Sequence, residues 1–352
     1  MDSSLSEPLL RSPKDGPALP VLPLGRSVAV RAVVLGVFGG TAFVHGYAIM
    51  GLLYRAMPFY AFFSGLALYY LDVFLGGAEK TCRREWSWFR DSFVTRAPFE
   101  YFGLRLLAGE EVRLEADQQY LIALHPHGIF PYGGLPLYSQ ASPLLKRFPG
   151  LRVHPCGATV CFKVPFIREY LLWTGHLDAS RSVMAKHMAK GRSLAIIPGG
   201  EAEALRTENG REAVVLDGRK GFVALALEYG VPLVPTYTFG NVDTFRTSKT
   251  VLFRVRNWLQ RKFKVSVPIF WGVGGTPMPF RKALSLAVGA PIPVPPNPSR
   301  AKPDEALVDE YHAKYVAALK ALFQEHKAAA GYADSELEIL RAPGSGRAKK
   351  MH

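Results

Sequence analysis

The chain has 352 residues, 49% of them hydrophobic, and carries 43 Lys and Arg against 29 Asp and Glu for a formal charge of +14. That length holds one large domain or two modest ones with a sizeable core, and the hydrophobic share excludes a many-spanning membrane protein. The cationic excess suits a membrane surface, a nucleic acid or a phosphate-bearing substrate, with simple solubility as the bland alternative.

Residues 1–26 are polar, proline-bearing and mixed in charge, and read as a disordered tail. They are not a secretory signal, because the apolar stretch that follows begins too late and runs too long for a cleaved segment. That stretch, "AVVLGVFGGTAFVHGYAIMGLLY" at 32–54, has no formal charge. As one helix it would extend roughly 34 Å, enough for a bilayer core of about 30 Å. "RAMP" at 55–58 interrupts it, and Pro58 disfavours helical geometry in the residue before it. A second run, "FYAFFSGLALYYL" at 59–71, is short for a full span. Arg11, Lys14, Arg26 and Arg31 precede the pair, and Lys80, Arg83 and Arg84 follow it, which places both ends in the cytosol. The expectation is a membrane-embedded helical hairpin over 27–78, spanning or re-entrant. A buried core hairpin of a soluble domain is the competing reading.

From about residue 98, short apolar runs alternate with helical periodicity. "QYLIAL" (119–124), "RSLAIIP" (192–198) and "VPLVPTYTF" (231–239) read as strands buried on both faces, as in a parallel sheet. Ser180 can cap a helix ending at Gly191, and "GFVALALEYG" reads as a helix from 221 terminated by Gly230. Strand, helix, strand implies an α/β sheet flanked by helices over 79–340. "PIPVPPNPSRAKP" at 291–303 is an extended connector. Residues 304–327 form an amphipathic helix, with Val308, Tyr311, Tyr315, Leu319, Leu322 and Phe323 on one stripe. Residues 341–352 are a basic tail. Cys82, Cys156 and Cys161 follow no C-x-x-C spacing, which argues against a disulfide framework and for reducing surroundings.

Three stretches carry candidate chemistry. "LIALHPHGIF" at 121–130 sets His125 and His127 about Pro126 where a strand finishes, the place where α/β sheets gather their sites. An H-x-H pair in extended chain points both rings the same way and suits a metal or a general base, but no further ligand motif follows nearby. A structural turn is equally consistent. "IPGGEAEALR" at 197–206 follows a strand with Gly199 and Gly200 ahead of Glu201 and Glu203, whose carboxylates can orient an imidazole or sit solvated. "DGRKGF" at 217–222 puts Arg219 and Lys220 before a helix start, an anion cradle or a solvated basic turn. No serine sits in a G-x-S-x-G elbow, "GVGG" at 272–275 is too weak for a dinucleotide fingerprint, and no nucleic-acid module is evident.

"HPHG" at 125–128, "PFIREY" at 165–170, "GGEAEAL" at 199–205, "RKGFVALALEYGVPLVPTYTFGN" at 219–241 and "VGAPIPV" at 288–294 occur in that order. Over about residues 98–340 they resemble the type-2 diacylglycerol acyltransferase family, which also holds monoacylglycerol and wax-alcohol acyltransferases. The resemblance implies a sheet like that of the glycerolipid acyltransferases, and an integral endoplasmic-reticulum enzyme that also reaches lipid droplets. It implies acyl transfer from acyl-CoA to the free hydroxyl of diacylglycerol. On that reading His127 is the general base, while His125 shapes the turn or binds substrate. Pro126, Gly128, Gly199, Gly200 and Gly221 touch substrate. Arg219 and Lys220 take the CoA phosphates, with Arg168 a weaker candidate.

Distant relatives pair the His with an Asp five positions later. Here Tyr132 stands five after His127 and Phe130 five after His125, so an acidic partner must come from elsewhere. Glu203 is the candidate, and Glu201 ranks below it. "EYFG" at 100–103 also departs from the family's usual Y-F-P. Acyl-CoA is a co-substrate, and the reading asks for no metal or redox cofactor. The bilayer and the two substrates are the expected partners, nucleic acid is not, and homo-oligomerisation stays open. The alternatives are a monoacylglycerol or fatty-alcohol acyltransferase, an inactive membrane lipid-binding relative, and a metal hydrolase using H-x-H.

Overall fold

The computed structural model describes residues 24–38, 42–248 and 269–342. Most of the tail expected at 1–26 and nearly all of that expected at 341–352 lie outside the described residues.

Helix α1 (Leu24–Val33) runs into a π-helical turn at Val34–Phe38, and α2 (Ala42–Ala56) and α3 (Phe59–Leu75) follow. Pro58 is the N-cap of α3 with an extended ψ of 139°. It offers no N–H to prolong α2, so the chain breaks there as the sequence implied. The first apolar run is not wholly a lipid-facing leg. Val30 and Val34 are fully buried and pack with Ala97, Tyr101 and Phe102 of α4 (Phe93–Phe102), which makes this part a piece of the core. Among the described residues one helical stretch, Phe59–Lys80, is long and apolar enough to cross a membrane, with a mean hydropathy of 1.4. The expected two-legged hairpin is thus met by one candidate span.

Beyond it come β1 (Arg105–Leu107), β2 (Leu121–Ala123), β3 (Val153–Gly157), α5 (Ile167–Trp173), β4 (Leu177–Asp178), α6 (Arg181–Met188), β5 (Ser193–Ile196), α7 (Gly200–Ala204), β6 (Ala213–Asp217), α8 (Gly221–Tyr229), β7 (Leu233–Phe239), β8 (Arg246–Ser248), β9 (Ile269–Trp271), β10 (Ser285–Val288), α9 (Glu305–His326) and β11 (Glu338–Arg341). Seven strands form one sheet in the order β1-β10-β7-β2-β5-β3-β4. β7, β2, β5, β3 and β4 are parallel, while β10 meets β7 antiparallel and β1 follows β10. β6 pairs with β11 and β8 with β9 in separate ribbons.

The strand runs are near-continuously apolar because both faces are covered. Along β2, Leu121 and Ala123 pack into the cluster built by α8 and α9, while Ile122 and its neighbours Tyr120 and Leu124 pack into the cluster on the opposite face. α9 starts where Asp304 accepts the Leu307 N–H at 2.6 Å, and it lays Tyr315, Leu319 and Phe323 fully buried against the sheet. α8 ends at Gly230 in the left-handed conformation, φ 63°.

Candidate active site

Three neighbouring parallel strands end at the same edge. β2 leads into His125-Pro126-His127-Gly128, β5 into Pro198-Gly199-Gly200 and α7, and β7 into Gly240-Asn241. Loops at the carboxyl ends of parallel strands are where such sheets hold ligands.

The β2 ladder stops at Ala123, so side-chain alternation no longer governs the two histidines, and they face different surroundings. His125 is buried under the sheet edge with its Nε2 3.1 Å from the Tyr315 hydroxyl of α9, and burial pushes it down to about 3, so it stays neutral. His127 lines a cavity, and its Nδ1 lies 2.9 Å from the Gly128 carbonyl oxygen. A carbonyl can only accept, so Nδ1 carries the proton and Nε2 keeps its lone pair. Burial also lowers the His127 pKa, favouring the neutral ring. The H-x-H pair therefore does not converge on one point. Among the described residues no group of three or more His, Cys, Asp or Glu gathers as metal ligands do.

Glu203, buried in α7, does not touch the His127 ring. Its carboxylate accepts the backbone N–H of His127 and, at 2.8 Å, that of Val215, so it holds the turn rather than the imidazole. Burial pushes its pKa up to about 7 against the pull of those two donors. Gly199 makes room for it, since a Cβ there would come within 2.0 Å of Glu203 Oε2. The role of orienting the imidazole falls to the Gly128 carbonyl.

Asn241 completes the clamp, and sequence reasoning assigned it no role. Its fully buried side-chain amide donates to the Pro126 carbonyl at 3.1 Å and to the His127 carbonyl at 3.0 Å. Thr238 N–H donates to the His125 carbonyl at 2.7 Å. The His125–Pro126 peptide is cis. Gly128 has φ 62°, and a Cβ on it would lie 2.5 Å from Asn241 Nδ2. The one available signal was the Gly-Asn pair directly after a strand.

The cavity measures about 1350 Å³. Its lining includes Leu53 of α2, Met57 in the turn after it, Phe62 and Leu66 of α3, His127 and Arg219. Gly200, Glu201 and Gly221 also line it, whereas Pro126, Gly128 and Gly199, expected to touch substrate, are not among its lining residues. Lys220 points elsewhere and pairs with Asp309 of α9 on the surface. Arg168 is fully buried, with its terminal nitrogens on Asp72 at 2.8 Å and Glu169 at 3.0 Å. It pins α3 to the domain and leaves no cationic end for a ligand.

A His set on a strand-end turn in the lining of a largely apolar cavity suits transfer chemistry on a lipid. Residues 56–340 match the model of the diacylglycerol acyltransferase family, most of the chain. The chain belongs to the diacylglycerol acyltransferase family. The matched stretch holds α3 and every residue of the turn, while α1 and nearly all of α2 precede it. The chain is similar to Homo sapiens acyl-CoA wax alcohol acyltransferase 2, 32% identical over 75% of this chain and 80% of that protein. It is 33% identical to Homo sapiens 2-acylglycerol O-acyltransferase 3 over 90% and 97%, and 34% identical to Bos taurus diacylglycerol O-acyltransferase 2 over 75% and 76%. The solved 1-acyl-sn-glycerophosphate acyltransferase PlsC from Thermotoga maritima aligns over 83% of this chain and 96% of that one, at 14% identity and a TM-score of 0.38. A likeness that weak leaves the fold argument to the sheet itself.

Proposed function

We propose that this diacylglycerol acyltransferase family member transfers a fatty acyl group from acyl-CoA to the free hydroxyl of diacylglycerol, forming triacylglycerol, with His127 as general base. The observation that carries the reading is the His127 ring, held as the Nδ1–H tautomer by Gly128 in the lining of a largely apolar cavity that residues of α2 and α3 also line. Nε2 takes the proton of the acceptor hydroxyl while that oxygen attacks the thioester carbonyl. The tetrahedral intermediate collapses by breaking the C–S bond, and the imidazolium returns the proton to the leaving CoA thiolate. The thioester arrives activated, so the reading asks for no metal or redox cofactor. Arg219, whose Nε has no partner among the described residues, and the free N–H groups at the start of α8 are the candidates for the CoA phosphates. The setting proposed is the endoplasmic-reticulum membrane and the lipid-droplet surface, with both termini cytosolic.

The test is an assay of membranes holding the full chain, given labelled acyl-CoA and, in turn, diacylglycerol, monoacylglycerol and a long-chain alcohol. Diacylglycerol should be the best acceptor, and His127→Ala should lower transfer by roughly 10²–10⁴-fold. Near-normal transfer by that variant rejects the base. Arg219→Ala should raise KM for acyl-CoA more than it lowers kcat, and an unchanged KM rejects the phosphate role. Monoacylglycerol is the second reading, because a 2-acylglycerol O-acyltransferase is similar to this chain at 33% identity, and the same panel decides it.

A further inference from the structure

Outside α2, α3 and Met57 in the turn between them, few large apolar side chains are exposed among the described residues. They are Trp86 (46%), Trp88 (70%), Val160 (66%) and Phe166 (40%), with Val28 and Val273 standing apart. The first four gather round one place, the C-terminal half of α3. Phe166 N–H donates to the Glu169 carboxylate at 2.9 Å, and that carboxylate also accepts the Tyr69 hydroxyl from α3 at 3.1 Å. Val160 belongs to the turn Thr159–Lys163, whose Lys163 ammonium donates to the Val73 carbonyl at 3.1 Å and lies 5.1 Å from the Phe74 ring. Trp86 sits 5.3 Å from Trp88 and edge-on to Trp173 at 5.6 Å. Trp173 ends α5, the helix that Arg168 ties to Asp72.

The charges at this place are sorted by sign. Three of its acids are paired with arginines: Asp72 with Arg168 and Arg84, Glu169 with Arg168, and Glu85 with Arg90 and Arg152. Glu79 is buried, and exposed Asp91 accepts the Gln140 N–H at 2.8 Å. Lys80 and Arg83 remain exposed on the outside, next to α3 in sequence. An aromatic and aliphatic rim inside a cationic collar, continuous with an apolar helix, matches a phospholipid leaflet: rings at the level of the headgroups, cations on phosphate.

We propose that Trp86, Trp88, Val160 and Phe166 form an interfacial membrane contact of the catalytic domain itself, with Lys80, Arg83 and Lys163 meeting lipid phosphates. The contact sets the leaflet surface at the level of Tyr69–Leu75. It also brings the wall formed by Tyr69, Phe89, Phe166 and Trp173, which the cavity shares, against the leaflet, so a lipid acceptor has a lateral way in. The proposal rests on the membrane reading of α3, and its test needs no acyltransferase activity, so its failure is distinguishable from a failure of the proposed reaction.

The full chain would be reconstituted in phosphatidylcholine–phosphatidylserine vesicles carrying bromine either near the glycerol end or near the tail end of the acyl chains. Tryptophan emission should be quenched more by the shallow bromines, and Trp88→Phe, checked for native circular dichroism, should lose part of that shallow quenching. An unchanged shallow quench in Trp88→Phe overturns the proposal. So does a Trp88 signal reached by neither brominated lipid, whether acrylamide reaches it in water or a protein surface shields it. Val160→Trp in the Trp88→Phe background should restore the shallow quench, and failure to restore it also counts against the contact.

Discussion

Glu203 holds two backbone N–H groups on one buried carboxylate, and its raised pKa gives that arrangement a pH signature. A carboxyl whose folded pKa lies above its unfolded value stabilises the fold fully below the unfolded value, here 4.5, and loses that contribution as pH rises through about 7. The amount is on the order of 3 kcal/mol, at about 1.4 kcal/mol per pH unit. Buried His125 and half-buried His176, both pushed down to about 3, and His154, pushed down to about 4, act in the opposite sense: their contribution is present above about 6.5 and lost as pH falls. The difference in melting temperature between wild type and Glu203→Gln, followed from about pH 5 to about pH 8, cancels the histidines. Wild type should lose stability relative to the variant as pH rises; a flat difference would show that the carboxyl is not raised. His125→Ala should act on the fold rather than the chemistry. Losing the Tyr315 contact in a buried site costs about 1–3 kcal/mol, read as a lower melting temperature with acyl transfer per folded molecule largely kept. The residue types at the site were legible because His, Gly and Glu at strand ends are informative by themselves. What each side chain touches was not legible, since Glu203 and His127 are far apart in sequence and a carboxylate serves a ring or a backbone N–H equally well.

At the scale of elements, the H-P-H-G turn is one unit held by β2, α7 and β7 together. Asn241 donates two hydrogen bonds to it from the end of β7, so Asn241→Ala should loosen the turn and lower kcat by roughly tenfold or more while KM for acyl-CoA changes little. Gly128→Ala should do at least as much damage, because it combines a φ of 62° with a Cβ driven against Asn241. Steady-state kinetics on both variants check this, and wild-type kcat in either one rejects the clamp. β2, β5, β7, α8 and α9 were readable because strands buried on both faces become unbroken apolar runs and the helices carry their own caps. β1, β4 and β10 were not readable: with two to four residues they are, like β2 and β5, too short to show a period, and they lie in none of the apolar runs that marked those two. β3 has Pro155 in the middle, which on sequence grounds argues against a strand.

For the whole molecule the central relation is that between α3 and the sheet domain. Phe63, 43% exposed, lies toward the far end of α3 from Asp72. If α3 enters a bilayer from that domain, Phe63→Lys places a cation deep in it at a cost on the order of 2–3 kcal/mol. Extraction of membranes with alkaline carbonate should then release more of the variant than of wild type, and equal retention would remove α3 as the insertion device. Composition, apolar run length and the order of the motif blocks determined by themselves that the chain has an α/β domain with an apolar N-terminal region and belongs to an acyltransferase family. These features are local, and each is written in a few consecutive residues. Only the tertiary structure decided that the first apolar run begins in the core, that Arg168 and Lys220 are occupied by Asp72 and Asp309, and that the orienting group for His127 is a backbone carbonyl while Glu203 grips the turn behind it. The physical reason is that burial and pairing depend on neighbours brought together from distant parts of the chain, and residue identity alone does not say which neighbour a polar group meets.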